Sequence, residues 1–384
     1  MTLMKRVGLL QNNNPDRLAD APPDNQLGTE IPKIQYSRPR IAIEYLERVC
    51  GLFDRLAGEV QIIERSYVIA GQSFRLRFAG TTLLPFFAPA LEHLQTNPTR
   101  SPALTINIWD GDTTGMNLPD PPWAKGDQIS RGEIQGLNNE RIRTSIFAEP
   151  GICSMLDLDI GIGIFHARSP LNIPLNFQGS PLLTILHWWL HQQGFLFLHA
   201  GAVGTSAGGV LLAGKGGSGK STTALSCLDS NLYYVSDDYS IVATGPDVEV
   251  HSIYNSAKLE AHQIKNFPHL LPLVTNDDMP LSEKRMVYLH RHLPERILHR
   301  MPLRAIFLPK ISGRKETSLR PASQAQTLQA LAPSTLFQLA GAGVVEFKKM
   351  GEFVRRLPSY WLELGEDLKQ IPHAIETYLA GPQR

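Results

Sequence analysis

The sequence has little cysteine, no excess of either charge and no long apolar run. Its three cysteines, Cys50, Cys153 and Cys227, are far apart and form no CxxC pair. An odd number of isolated cysteines argues against a disulfide framework and is typical of reduced core residues in a cytosolic protein. The apolar stretch at the N-terminus and the segment 182–190, which His187 interrupts, are too short for a signal-peptide core or a membrane-spanning helix.

The charges of the chain almost cancel. Lys plus Arg number 37 and Asp plus Glu number 36. A chain without net charge has no overall attraction to nucleic acid or to an anionic membrane, so any anion site has to be local. We therefore expect a cytoplasmic protein that binds neither nucleic acid nor membranes.

The length and the patterning predict two folded parts. Apolar residues make up 42% and charged residues 19% of 384 residues, which is the balance of a globular protein too long for one ordinary core. Residues 1–38, rich in Asn, Pro and Asp, are predicted to be a flexible arm. Residues 39–178 are predicted to form a small α+β accessory domain, with a helix over 41–56 and a hairpin over 61–80.

Residues 179–384 have a different sequence pattern, in which short apolar runs alternate with amphipathic segments. This pattern is typical of an α/β fold whose sheet is covered by helices on both faces. The predicted fold class is therefore α/β, with a phosphate-binding catalytic domain that follows the smaller α+β domain.

The most specific motif is a complete GxxxxGK[ST] match at residues 214–221. An apolar run that fits a buried strand precedes it, and a segment that fits the start of a helix follows it, as the motif requires. Strand, glycine-rich turn and helix N-terminus together form a cup of backbone N–H groups that binds phosphate. The predicted nucleotide-binding residues are Gly214, Lys215, Gly216, Gly217, Ser218, Gly219, Lys220, Ser221 and Thr222.

Two adjacent carboxylates and a histidine complete the predicted site. Asp237 and Asp238 end an apolar run, at the edge of the sheet where ligands bind in such folds. One can hold Mg²⁺ and the other can accept the proton of an attacking hydroxyl, although a solvated turn would also explain them. His199 ends the preceding strand, and if neighbouring strands end at one edge it faces the transferred phosphate; the alternative is an ordinary packed histidine.

These three segments resemble a known family. HAGAV, GGVLLAGKGGSGKSTTAL and YYVSDDY are similar to the kinase domain of HPr kinase/phosphorylase, a P-loop fold related to phosphoenolpyruvate carboxykinase. The resemblance implies that Lys220 and Ser221 bind phosphate and Mg²⁺, that Asp237 accepts the proton, and that Asp238 lies beside the metal. It also implies that His199 lies near the active site, so the predicted catalytic residues are Asp237, His199 and Lys220, with Ser221 and Asp238 as metal ligands.

The chain departs from this family after the acid pair. The arginine- and glycine-containing signature needed for phosphorylase activity is absent, and residues 248–259 stand in its place. Phosphorylase activity and HPr as substrate are therefore not expected. Lys258 and Lys284 follow at distances that allow loops to return them to the nucleotide, although a solvated surface would also account for them. His290, His292 and His299 lack a ligand spacing that would indicate zinc.

The sequence leaves three functions open. The first is a kinase that uses ATP and Mg²⁺ to phosphorylate a hydroxyl of a protein, a peptide or a small metabolite. The second is a P-loop ATPase or nucleotide-binding regulator without a phosphorylated product. The third is a carboxykinase-like enzyme acting on an organic acid. The acid pair favours the first, because a base is useful only if a hydroxyl is activated. Relatives of this type often assemble, so a homo-oligomer is compatible with the resemblance.

Overall fold

The computed structural model of the chain describes residues 39–382, and the predicted arm, residues 1–38, lies outside the described residues. The helices are α1 (Pro39–Glu59), α2 (Leu84–Leu91), α3 (Gly111–Thr114), α4 (Leu175–Gly179), α5 (Leu183–Gln192), α6 (Lys220–Ser226), α7 (Gln324–Leu336), α8 (Val344–Val354) and α9 (Gln370–Ala380). The strands are β1 (Ile62–Ile69), β2 (Gln72–Ala79), β3 (Gln95–Thr96), β4 (Leu104–Asp110), β5 (Ile142–Phe147), β6 (Ile152–Asp157), β7 (Ile162–Ala167), β8 (Leu196–Leu198), β9 (Ala200–Thr205), β10 (Gly208–Ala213), β11 (Tyr233–Ser236), β12 (Ser240–Ala243), β13 (Glu249–His251), β14 (Ser256–Leu259), β15 (Arg285–Tyr288), β16 (Arg300–Ile311), β17 (Ser318–Pro321) and β18 (Ser359–Leu364).

Strands β1 to β7 form a seven-stranded mixed sheet in the order β3-β1-β2-β4-β7-β6-β5. The predicted hairpin is present, since β1 and β2 pair antiparallel along their full length. The predicted helix is also present as α1, whose apolar residues recur every three or four positions and bury one face on the sheet. Phe53 of α1 packs on Trp109 of β4, with ring centroids 5.7 Å apart. Helices α2 and α5 contribute to the core on the opposite face.

The second sheet has nine strands and is also mixed. Its main path is β11-β9-β10-β16-β13-β12-β8, and the long strand β16 also pairs with β18, which in turn pairs with β17. Residues of α6 and α9 belong to one of its core clusters, and residues of α7 and α8 belong to another. Helices therefore cover both faces of this second sheet, as predicted, and the fold is mixed α/β.

Strands and helices do not simply alternate along the chain. β8, β9 and β10 follow one another without a helix between them, so β9 pairs antiparallel with β10, whereas β16 pairs parallel with β10. Within residues 39–382, no helix has the length and apolar character needed to cross a bilayer.

The two sheets share a hydrophobic core. Phe74 of β2 lies 5.8 Å from Trp189 of α5, measured between ring centroids, and both belong to one buried cluster with Phe197 of β8. Asn255, just before β14, donates from Nδ2 to the carbonyl oxygen of Ala90 in α2, at 3.0 Å. The division of the chain at residue 178 stays a prediction, but the residues on either side of it pack together closely enough to build one site.

Candidate functional site

The loop that is predicted to bind phosphate joins β10 to α6. Gly217 and Gly219 have φ angles of 75° and 104°, a region that side chains with a β-carbon rarely occupy. A β-carbon at Gly219 would also come within 2.4 Å of Leu364 Cδ1 in β18. The loop therefore favours glycine at this point for its backbone conformation, and a side chain there would displace the Leu364 side chain of β18.

Lys220, the first residue of α6, is buried and turned toward the loop. Its Nζ donates to the carbonyl oxygen of Gly214 at 2.7 Å and to that of Lys215 at 3.4 Å. Burial lowers the pKa of Lys220, and the charges of the nearby acid pair only partly offset this effect. The ammonium group is thus held at the loop, where an anion would gain from contact with it.

Asp238 is the more strongly paired member of the acid pair that follows β11. Its Oδ1 accepts a hydrogen bond from His199 Nε2 at 2.7 Å, and its Oδ2 lies 2.5 Å from Lys258 Nζ. Burial alone would raise the pKa of Asp238, but the charge of Lys258 and the hydrogen bond from His199 outweigh it and lower the pKa well below its usual range. Asp238 is therefore ionised at neutral pH.

Asp237 has the opposite environment. Only 1% of the residue is exposed. The Tyr234 hydroxyl donates to its Oδ1 at 3.2 Å, and the backbone N–H of Lys258 donates to its Oδ2 at 3.1 Å. Burial and the adjacent charge of Asp238 raise the pKa of Asp237 in spite of these hydrogen bonds. The two neighbouring carboxyl groups thus differ in their affinity for a proton.

His199 lies at the edge of the sheet that carries the loop. The prediction that it ends a strand next to the strand leading into the loop was wrong. The strand that it follows, β8, is not a neighbour of β10. Instead β9 begins at Ala200 and runs antiparallel to β10, so Ala200 is opposite Ala213 at the start of the loop. The His199 ring lies 5.2 Å from the Tyr239 ring, centroid to centroid, and its buried Nδ1 has no hydrogen-bond partner among residues 39–382.

A cleft of about 480 Å³ brings the predicted residues together. They are Lys215, Gly216, Gly217, Ser218, Gly219, Lys220, Ser221, Thr222, His199, Asp237, Asp238, Lys258 and Lys284. Gly214 does not line the cleft and contributes its carbonyl oxygen to Lys220. Lys284 is half exposed and lies 3.5 Å from Glu260 Oε1, whereas Lys258 is almost buried against Asp238.

The sequence analysis missed ten residues that also line this cleft. They are Phe147, Asn176, Phe177, Ser180, Leu183, Thr184, Tyr239, Glu260, Gln263 and Gln338. Tyr239 directly follows the acid pair, a position that would have indicated it. The other nine lie outside any motif, and three of them belong to the predicted accessory part, so no local signal marks them.

The donor atoms near the loop fit a magnesium ion bound together with phosphate. The Ser221 hydroxyl approaches the carboxyl group of Asp237, and Asp238 lines the same cleft. These are hard oxygen ligands, which Mg²⁺ prefers, and Mg²⁺ usually takes only one or two protein ligands when phosphates and water supply the others. Among residues 39–382 there is no cluster of three or more His, Cys, Asp or Glu side chains able to hold a metal.

No protein-family model matches the sequence, and no curated protein matches it. Among solved structures, the chain matches in part the structure of the Hpr(Ser) kinase/phosphatase from Coxiella burnetii. The identity is 11%, the TM-score is 0.28, and the match covers 48% of this chain and 95% of that chain. The function is therefore inferred from the geometry of the site.

Proposed function

We propose that this chain is an ATP- and Mg²⁺-dependent kinase that transfers the γ-phosphoryl group to a hydroxyl of a protein, a peptide or a small metabolite. The observation that carries the proposal is the position of the acid pair, which lines one cleft together with the predicted phosphate-binding loop and Lys220. A lysine and a histidine keep Asp238 ionised, whereas the pKa of Asp237 is raised. Adjacent carboxyl groups with divergent pKa values are typical of a site in which one is the base and the other stays charged.

The nucleotide is bound by the loop amides and by Lys220. Within the described part of the chain, the hydrogen-bond partners of its buried ammonium group are loop carbonyl oxygens, and phosphate oxygens would be stronger partners for it. Ser221 and Asp238 would hold Mg²⁺, with Asp238 acting directly or through water. When bound, the ion neutralises charge on the β- and γ-phosphates.

Asp237 acts as the proton acceptor. As the acceptor oxygen forms its bond to the γ-phosphorus, its proton moves to the Asp237 carboxylate, and the bond from the γ-phosphorus to the bridging oxygen breaks to release ADP. The raised pKa makes Asp237 a stronger base once it is ionised. Lys220 and Lys258 offset the negative charge that develops on the transferred group and on ADP.

A label-transfer experiment tests the proposal. The protein is incubated with γ-labelled ATP, Mg²⁺ and a panel of serine peptides and small alcohols, in parallel with Asp237→Asn. We expect labelled product with the parent protein and a large loss of it with the variant, while both bind a fluorescent ATP analogue. Label in inorganic phosphate alone would contradict the kinase and favour the ATPase alternative.

A further inference from the structure

We infer that the phosphoryl acceptor carries an apolar or aromatic group next to its hydroxyl, which binds to a wall formed by Phe147, Phe177 and Leu183. This inference rests on the proposed kinase function and specifies the substrate class of the same cleft. It follows from the packing of this wall, from its position beside the acid pair, and from the uncharged residues next to it in the chain.

The acceptor wall comes from three separate elements. Phe147 ends β5, Phe177 lies in α4 and Leu183 begins α5. The rings of Phe147 and Phe177 meet edge to face, with centroids 5.7 Å apart and planes at 84°. All three side chains are partly buried and pack on the core shared by both sheets. They therefore form a fixed surface whose open side faces the cleft, the kind of surface that holds an apolar group.

The acceptor wall lies on the side of the acid pair. Lys258, the ion-pair partner of Asp238, donates from Nζ to the Ser180 hydroxyl at 3.4 Å, just after α4. The Lys258 side chain also packs on Gly179, where a β-carbon would meet its Cδ at 3.3 Å. The opposite side of the loop, at Gly219, packs instead on Leu364. A group on the acceptor wall is thus next to the carboxyl groups, where the acceptor hydroxyl has to be.

The residues next to the acceptor wall in the chain are uncharged. Asn176 and Ser180 lie on either side of Phe177, Thr184 follows Leu183, and all three line the cleft. The charged side chains of the cleft, which include Lys215, Lys258, Glu260 and Lys284, lie on other segments. A charged group on the acceptor wall would have to leave water for an apolar surface, which is costly. An apolar group avoids this cost and gains from burial.

The test compares matched acceptors. Capped serine peptides with Phe or Leu beside the serine are compared with peptides carrying Asp there, and 2-phenylethanol is compared with glycerol 3-phosphate. We expect kcat/KM to be at least ~10-fold higher for the apolar member of each pair, the size of effect that one well-packed apolar group provides. Equal rates, or a preference for the anionic members, would overturn the inference but leave the kinase intact.

Variants show whether the acceptor wall is responsible. Phe177→Ala is expected to raise the KM for the Phe-containing peptide by ~10-fold or more, and Phe177→Leu, which keeps an apolar side chain, is expected to retain most of the affinity. KM for ATP stays within about twofold in both. Phe337→Ala serves as a matched control, because that ring is 79% exposed and does not line the cleft. If Phe177→Ala weakened binding of a fluorescent ADP analogue and left the acceptor KM unchanged, the wall would bind the adenine.

A binding measurement separates the two proposals. Titration of the Phe-containing peptide into the protein with Mg²⁺ and a non-hydrolysable ATP analogue should give a binding isotherm that Phe177→Ala weakens. Binding of this peptide without label transfer to it would contradict the kinase and support the acceptor wall. If the nucleotide binds but the peptide does not, and apolar acceptors are not preferred, the acceptor wall is overturned and the kinase proposal is unaffected.

Discussion

Replacement of Lys258 by Met tests the arrangement of the acid pair, because the change removes a charge and keeps most of the side-chain length. The Lys258 side chain is 11% exposed and that of Asp238 is 25% exposed, with Nζ and Oδ2 2.5 Å apart. Charge centres about 4 Å apart attract each other by ~4 kcal/mol at an effective dielectric constant of ~20. Since the cost of removing both charges from water offsets part of this attraction, we expect a net coupling of ~2 kcal/mol.

The assay is a double-mutant cycle measured by urea unfolding. Lys258→Met and Asp238→Asn are each expected to lower the free energy of unfolding, and the double variant to be more stable than the sum of the two losses implies, by ~2 kcal/mol. Because Lys258 and His199 lower the pKa of Asp238, the stability that Asp238 contributes is fully present above its unfolded-state pKa of ~4 and is lost progressively as the pH falls from there toward its lower folded-state pKa. Additive losses at neutral pH would refute the reasoning.

Three further predictions concern turnover. Lys220→Ala is expected to reduce phosphoryl transfer by ~100-fold or more, with little change in the thermal midpoint, because it removes a charge that stabilises the transition state. Asp237→Asn is expected to lower kcat by ~10²–10⁴-fold. It is also expected to abolish the increase of kcat with pH, because in the parent protein this increase results from ionisation of Asp237, whose pKa is raised. Arg131→Ala is expected to raise the KM for the acceptor more than the KM for ATP, because Arg131 Nη1 donates to three carbonyl oxygens of the turn after α7 that carries Gln338. A steady-state analysis of each variant checks these outcomes, and an unchanged kcat for either of the first two would contradict the role assigned to it.

The nucleotide side of the cleft was predictable because it is local in sequence. The loop lies between one strand and one helix, and glycine at positions such as Gly219 indicates a backbone conformation that other residues avoid. The acid pair was predictable for the same reason, since β11 ends immediately before it. Mixed α/β character also followed from the pattern of buried strands and amphipathic helices. The chemical roles of these residues stay predictions.

The acceptor side was not predictable from local pattern. His199 and Asp238 are brought together because β9 pairs antiparallel with β11 and β8 pairs antiparallel with β12, and no local pattern specifies these pairings. Phe147 and Phe177 meet only because β5 and α4 pack on a core to which both sheets contribute. Neutral side chains at long sequence separation have no periodicity or spacing that identifies a site, so only the fold could reveal them.

The acceptor wall can change while the residues proposed for phosphoryl transfer stay the same. The residues proposed to bind phosphate and to move the proton lie at the ends of β10 and β11 and in α6. The acceptor wall depends on Phe147 and Phe177, whose replacement by other apolar residues leaves the loop, Lys220 and the acid pair in place. Because binding of the acceptor and transfer of the phosphoryl group thus draw on separate residues, changes in the acceptor wall should alter substrate choice without altering the chemistry.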